Sequence, residues 1–306
     1  MKLSVVIPTY NRAQALAQTL KRLKPQVEDM HEAVEVVVVD DGSADNTGKL
    51  MQSLLQSWNI PLRYKHQPNR GPASARNQGL RIAQGRWVLF MGDDIYARPG
   101  LLKRHLRDHE RLYPQSTIAV LGRVVWDTSL ELSPFMRWWG SRRLNYPRRQ
   151  QTGFVEVWRF YTCNVSVHRE FILSQGGFDP AFRSAALEDT ELAWRLSSQG
   201  FRVYYDPKAL AYHHHPVDLR GACRQMETVG KAASTFREKT GRPALSWKWR
   251  LMARGPWMTP VVIRPLMRWA EQWQDRLACP IVWVPLLTYS FLVGCGCKPA
   301  LDGKDA

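Results

Sequence analysis

Val36-Val37-Val38-Val39-Asp40-Asp41 and Val88-Leu89-Phe90-Met91-Gly92-Asp93-Asp94 share one form, an apolar run that ends in a pair of aspartates. Runs of β-branched and long apolar residues closed by Gly and acids read as strands buried on both faces, as in a parallel sheet. Carboxylates at the carboxyl end of such strands stand at the mouth of the crevice where open α/β sheets bind ligands. Four acids at one sheet edge repel one another, so a cation or hydrogen-bond donor is expected among them. A divalent metal with a nucleotide meets that need.

Outward from these strands, helix and strand signals alternate. Leu3–Ile7 reads as a strand and Pro8-Thr9-Tyr10-Asn11 as a turn. Arg12–Leu23 carries Leu16, Leu20 and Leu23 on one helical face. Ser43–Thr47 offers N-caps for a helix through Leu55, and a strand follows near Leu62–His66. A Gly-containing turn at Asn69-Arg70-Gly71-Pro72 leads to a helix over Ala73–Ala83 and then to the strand ending at Asp94. This alternation predicts a mainly parallel, Rossmann-like sheet flanked by helices. Farther on, Trp126–Gln151 lacks periodicity and reads as a structured loop bearing Trp138-Trp139, Arg142-Arg143 and Arg148-Arg149. Phe154–Val167 reads as strand material, Arg169–Ser174 and Ala186–Gln199 as helices, and Val203–Tyr205 as a strand before His213-His214-His215. Beyond Leu219 the pattern is helical, then tryptophan-rich.

The 306 residues suffice for one large α/β domain with a smaller appendage, and 44% hydrophobic content excludes wholesale disorder. A net charge of +16 suits an anionic partner: nucleotide phosphates, nucleic acid or an acidic membrane face. Five scattered cysteines without a CxxC pair disfavour a disulfide framework or zinc site and fit a reducing cytosolic setting. The apolar stretch before Pro8 is too short for a secretory leader.

Each candidate for chemistry has a plainer alternative. Asp93-Asp94 suits a hard cation that completes its shell with water and substrate phosphates, yet Asp pairs are common in turns. Asp40-Asp41-Gly42-Ser43 is turn and cap chemistry, or a carboxylate that accepts from a nucleobase N–H. No GxGxxG follows the first strand, which disfavours a dinucleotide fold. In Glu188-Asp189-Thr190-Glu191, acids in a first helical turn complement the helix dipole, and Glu191 has Arg195 at i+4. Glu188 and Asp189 have no such partner on the helix and are general-base candidates. The three consecutive histidines either form a surface turn before Pro216 or supply an imidazole to the metal.

Taken together, Ser4–Arg12, Val39–Ser43, Asn69–Gly79, Gly92-Asp93-Asp94, Asn164-Val165-Ser166, Gly176–Asp179 and Glu188–Leu192 resemble, in order and spacing, the family 2 glycosyltransferases over roughly residues 3 to 216. The resemblance implies a GT-A fold in residues 1–216. It also implies transfer, with inversion, of a sugar from a nucleotide-diphosphate sugar, expected to be a UDP-sugar. It points to Pro8, Thr9, Tyr10, Asp41, Asn69, Gly71, Arg76 and Asp93 for the donor nucleotide. Asp94 and His213 are implied for a divalent metal (Mg²⁺ or Mn²⁺), and Asp189, assisted by Glu188, for the catalytic base. The acceptor is expected to be a glycan or lipid-linked hydroxyl, with its choice set by the Trp126–Gln151 loop. A non-catalytic glycan-binding member of the family is one alternative, which the intact Asp94 and Glu188-Asp189 count against, and the rival from another class is a basic nucleic-acid-binding protein. It explains the charge and leaves the acid clusters without purpose, so no nucleic-acid partner is expected.

Residues 217–306 form a helical, Trp/Arg-rich extension outside the resemblance. Leu277–Cys297 holds 21 uncharged residues, but Pro280, Pro285, Gly294 and Gly296 argue against a membrane-spanning helix. Trp247, Trp249, Trp257, Trp269, Trp273 and Trp283 interleave with arginines and Lys248, which suits a membrane–water boundary. A peripheral place at the inner face of the cytoplasmic membrane is the expectation.

Overall fold

The computed structural model describes residues 1–30, 32–144, 152–244, 258–274, 276 and 279–298. The chain divides into two compact units, Met1–Thr128 with Tyr146–His215, and Ser129–Asn145 with Pro216–Ala306.

The first unit is built on one nine-stranded sheet, of β1 (Leu3–Thr9), β2 (Val34–Asp40), β3 (Leu62–His66), β4 (Trp87–Met91), β5 (Ile95–Ala97), β6 (Ile118–Trp126), β7 (Gly153–Val155), β8 (Asn164–His168) and β9 (Arg202–His213). The order is β3-β2-β1-β4-β8-β6-β9-β5, with β7 beside β9. The first four strands are parallel, β8 enters antiparallel between β4 and β6, and β6 runs parallel to β9. All seven residues of β2 and all five of β4 are buried, as their apolar runs require. Helices α1 (Ala13–Asp29), α2 (Thr47–Ser57), α3 (Pro72–Ile82), α4 (Leu101–Leu112), α6 (Arg169–Ser174) and α7 (Glu188–Ser197) flank the sheet. Leu16, Leu20 and Leu23 are all buried on α1, as their spacing predicts. Gly79 lets α3 press onto β1, where a Cβ would strike Val6.

Three elements carry no assignment in the sequence reading: β5, α4 and β6. α4 buries His105, Asp108 and His109 beside its leucines, so its inner face looks polar. Those imidazoles are satisfied across the sheet. His105 Nδ1 lies 2.8 Å from Ser166 Oγ, His105 Nε2 lies 3.0 Å from Asn164 Oδ1, and His109 Nε2 lies 2.7 Å from Ser166 Oγ. β9 also runs past Tyr205, where the reading stopped. The pairing of β6 with β9 slips between Gly122 and Arg123, and that irregularity absorbs Pro207. The strand therefore carries on to His213.

The second unit is helical: α5 (Pro134–Arg143), α8 (Leu219–Thr240), α9 (Pro260–Trp273) and α10 (Pro280–Gly294). α5 corrects the expectation of a loop over Trp126–Gln151. Ser133 Oγ accepts from the Met136 amide at 3.2 Å and Pro134 opens the helix, an N-terminal signature that apolar periodicity does not show. Residues 145–151 of that segment, with Arg148-Arg149, and Trp247, Lys248, Trp249 and Trp257 lie outside the described residues. The Trp283 ring packs at 5.2 Å against both Phe135 and Trp138. Gly230 and Gly294 bring α8 and α10 together, since a Cβ at either would strike the other helix's backbone. α10 buries Trp283 and Leu286–Phe291 in this way, and no described helix is long and apolar enough to cross a membrane.

Candidate active site

The carboxyl end of β4 delivers Asp93 and Asp94, both buried, to one edge of the sheet. The cation expected among the acids is Arg12. Its Nη1 donates to Asp93 Oδ1 at 2.9 Å and its Nη2 to Asp94 Oδ2 at 2.8 Å. Arg12 follows Asn11, one of two described non-glycine residues with positive φ (52°), so the turn that aims it is held in a sparsely populated conformation. Asp93 also accepts from the Thr9 hydroxyl at 2.8 Å. Burial pushes its carboxyl up to about 6, against the pull of Arg12. For Asp94, burial acts in the same direction, but His213, Arg12 and His215 outweigh it and hold the group well below the usual carboxylate range.

Because β9 reaches His213, alternate residues of the histidine run share a side. His213 Nε2 lies 3.3 Å from Asp94 Oδ2 and His215 Nδ1 lies 3.8 Å from the same oxygen. The two rings stack at 5.9 Å, and His213 stacks on Trp126 at 5.2 Å. His214 turns the other way, with Nδ1 2.8 Å from Asp127 Oδ2 and its ring on Tyr96. Burial, with Arg12 and His213, holds the His215 ring below its ordinary value against the pull of Asp94.

Thr9 joins the two aspartate pairs. Its carbonyl accepts from the Asp41 amide at 2.9 Å while its hydroxyl holds Asp93. Asp41 accepts from Gln67 Nε2 at 2.7 Å and from the amides of Arg70 and Gly71 at 3.0 and 2.8 Å, so it caps the turn that opens α3. Asp40 is spent on the Ser43 amide (2.8 Å) and the Tyr64 hydroxyl (2.7 Å). Pro8 is half-buried, and Tyr10 and Asn69 are exposed beside these turns.

α3 carries the connection onward. Gly71, at φ +88°, lies so close to the Arg183 backbone that a Cβ could not fit. One turn later Arg76 Nη1 donates to Glu188 Oε1 at 2.8 Å, and both side chains are buried. Glu188 lacks a partner on its own helix and finds one across the fold. Burial and the neighbouring Asp189 push its carboxyl up, and Arg76 opposes them. Nε of Arg76 is buried without a hydrogen-bond partner. Leu187, the other described non-glycine residue at positive φ (69°), turns the chain into Glu188 and the start of α7. Asp189 is half-buried, with Oδ2 3.5 Å from the Thr162 amide. Thr162 lies just before β8, whose first residue, Asn164, pairs with Met91 at the end of β4. Antiparallel pairing therefore brings Thr162, and Asp189 with it, to the edge where Asp93 and Asp94 stand. Glu191 is structural: Arg195 Nε lies 2.8 Å from it and holds two carbonyls of the 175–177 turn.

The glycosyl transferase family 2 model matches residues 4–173, more than half of the chain. The chain belongs to family 2. Its relatives include a validoxylamine A glucosyltransferase of Streptomyces hygroscopicus, 30% identical over 65% of this chain and 52% of the relative. The chain spans about half the length of the first curated relatives it matches, 52% and 48%. Among solved structures, mannosyltransferase PcManGT from Pyrobaculum calidifontis, in complex with GDP-Man and Mn²⁺, aligns with a TM-score of 0.62 at 18% identity. That alignment covers 96% of this chain and 86% of PcManGT. S. aureus TarS 1–349 in complex with UDP-GlcNAc aligns with a TM-score of 0.54 at 16% identity, over 97% and 92% of the two chains. These likenesses establish the GT-A fold: a Rossmann-like, mainly parallel sheet flanked by helices.

Among the described residues of this family 2 chain, no group of three or more His, Cys, Asp or Glu side chains forms a ready metal cage. The donor set suits a cation that borrows the rest of its shell. A carboxylate oxygen and an imidazole nitrogen 3.3 Å apart are spaced much as two donors on one ion bound at about 2.1 Å. Phosphates and water would complete it. His215 is a second nitrogen on that side, which it joins because β9 continues, and Arg12 is the neighbour the sequence reading left out. The need for a cation among four acids is the available signal for Arg12, but the sequence reading answers it with a divalent metal alone.

Proposed function

We propose that this chain is an inverting glycosyltransferase that moves a sugar from a nucleotide-diphosphate sugar, a UDP-sugar, to a hydroxyl of a glycan or lipid-linked acceptor in cell-envelope synthesis. The observation that carries this reading is the convergence of Asp93-Asp94 and Asp189 at one sheet edge, through the pairing of Asn164 with Met91. The presence of GDP-Man and UDP-GlcNAc in PcManGT and TarS supports a nucleoside-diphosphate donor.

In this proposal residues 1–216 are the catalytic domain and 217–306 a membrane-associating helical region. Asp41, with Pro8, Thr9, Tyr10, Asn69 and Gly71, receives the nucleobase, and Asp93 receives the ribose. Asp94 and His213 would hold a divalent Mg²⁺ or Mn²⁺, which would offset charge on the departing diphosphate. Asp189 takes the proton from the acceptor hydroxyl as that oxygen forms its bond to the anomeric carbon from the face opposite the diphosphate. The bond from the anomeric carbon to the diphosphate oxygen breaks, and the nucleoside diphosphate leaves with the electron pair. Glu188, tied to Arg76, fixes the start of α7 and so aims Asp189. Arg76 thereby reaches the donor only through α3. The enzyme works peripherally at the inner face of the cytoplasmic membrane.

A donor panel tests the reading. Metal-dependent release of nucleoside diphosphate is expected from one nucleotide sugar well above the rest. Binding to DNA or RNA that weakens steeply with salt, with no nucleotide-sugar turnover, would favour the rival function.

A further inference from the structure

We propose that the outer face of α9 and the first turn of α10 form a docking surface for an anionic lipid bilayer; this deepens the membrane-surface partner proposed above and rests on that reading. α9 is two-sided. Ile263, Met267 and Ala270 are buried, while Val261, Pro265 and Trp269, at i, i+4 and i+8, form an outer stripe. On that outer face Val261 is 82% exposed, Val262 45% and Trp269 41%, and Ile281 in the first turn of α10 is 84% exposed. Val261 and Ile281 are the most exposed large apolar side chains among the described residues. Water penalises such groups, and their concentration in α9 and the first turn of α10 marks a contact surface.

The charge around them selects the partner. Arg264 and Arg268 alternate with the apolar residues on the outer face, and exposed Arg276 follows. The single acid of α9, Glu271, is held by Arg220 at 2.7 and 3.1 Å, which leaves the helix with a positive outward face. Aliphatic and tryptophan side chains interleaved with arginine match the headgroup boundary of a negatively charged leaflet. A second copy of this basic surface would bring like charges together.

The test is co-sedimentation of the full chain with phosphatidylcholine vesicles that contain or lack phosphatidylglycerol. Binding is expected to anionic vesicles and to fall with added salt. The triple variant Val261→Ser/Trp269→Ala/Ile281→Ser should bind at least about tenfold more weakly, and Arg268→Gln about fivefold more weakly. Both should keep wild-type nucleotide-sugar hydrolysis, which shows that they fold. Wild-type-like vesicle binding by the triple variant overturns this face while leaving a membrane partner in place. Absence of binding by the wild-type chain overturns both readings. A dimer in light scattering that the triple variant dissolves assigns the face to a second copy instead and overturns the proposal.

Discussion

Arg76, in the second turn of α3, donates to the Glu188 carboxylate at 2.8 Å across 112 residues of sequence, and the pair joins the helix that opens at Gly71 to the start of α7. Removing one partner strands the other in the interior. Arg76→Ala is expected to cost about 3–5 kcal/mol of stability, read from denaturant unfolding, and to lower turnover by loosening Asp189. An unfolding midpoint like wild type would mean the pair is not what locks α7.

Glu188 also gives the protein a pH signature. Its carboxyl is raised above its ordinary value of 4.5. The folded state therefore holds a proton that the unfolded state has released. This contribution is fully present below pH 4.5 and is lost as pH rises through the folded-state value. In Glu188→Gln that loss disappears, so the Tm difference, variant minus wild type, should grow as pH rises from 4.5. A difference that is flat or shrinks would contradict the assignment.

Arg12 neutralises Asp93 and Asp94 but is about a third exposed, so its loss is discounted to about 1–2 kcal/mol. Arg12→Ala should lower Tm by a few degrees, and Mn²⁺ should raise Tm more in the variant than in wild type, since an ion binding the folded state then replaces the missing charge. Equal Mn²⁺ shifts in both proteins would separate Arg12 from the metal side.

Two glycines distinguish strain from fit. Gly71 and Gly100 sit at φ +88° and +87°, but only at Gly71 would a Cβ strike backbone. Gly71→Ala should cost well over 1 kcal/mol and weaken nucleotide binding, whereas Gly100→Ala should show only the backbone penalty and keep that binding. Denaturant unfolding measures the stability cost and calorimetric titration with UDP the binding.

Much of this arrangement is legible in the chain itself. The apolar runs of β2 and β4 fix the parallel core because each fills both faces of a strand, and Leu16, Leu20 and Leu23 fix the inner face of α1. Elements with polar interiors or interrupted patterns are hidden: α4 turns His105 and His109 inward, and β9 passes Pro207 through a slip in register. The acids stand out at strand ends and a helix start, but their partners do not. Arg12 and Arg76 reach Asp93 and Glu188 across 81 and 112 residues, and no local spacing signals such contacts.

The central claim is a division of labour, with donor and metal at Asp94 and proton transfer at Asp189. It is tested most directly by measuring, on Asp94→Asn and Asp189→Asn side by side, both Mn²⁺-dependent nucleotide binding and sugar transfer. Asp189→Asn should bind nucleotide as wild type does and lose transfer by about 10²–10⁴-fold, while Asp94→Asn should lose both. Full transfer by Asp189→Asn, or undiminished Mn²⁺-dependent binding by Asp94→Asn, would contradict the account.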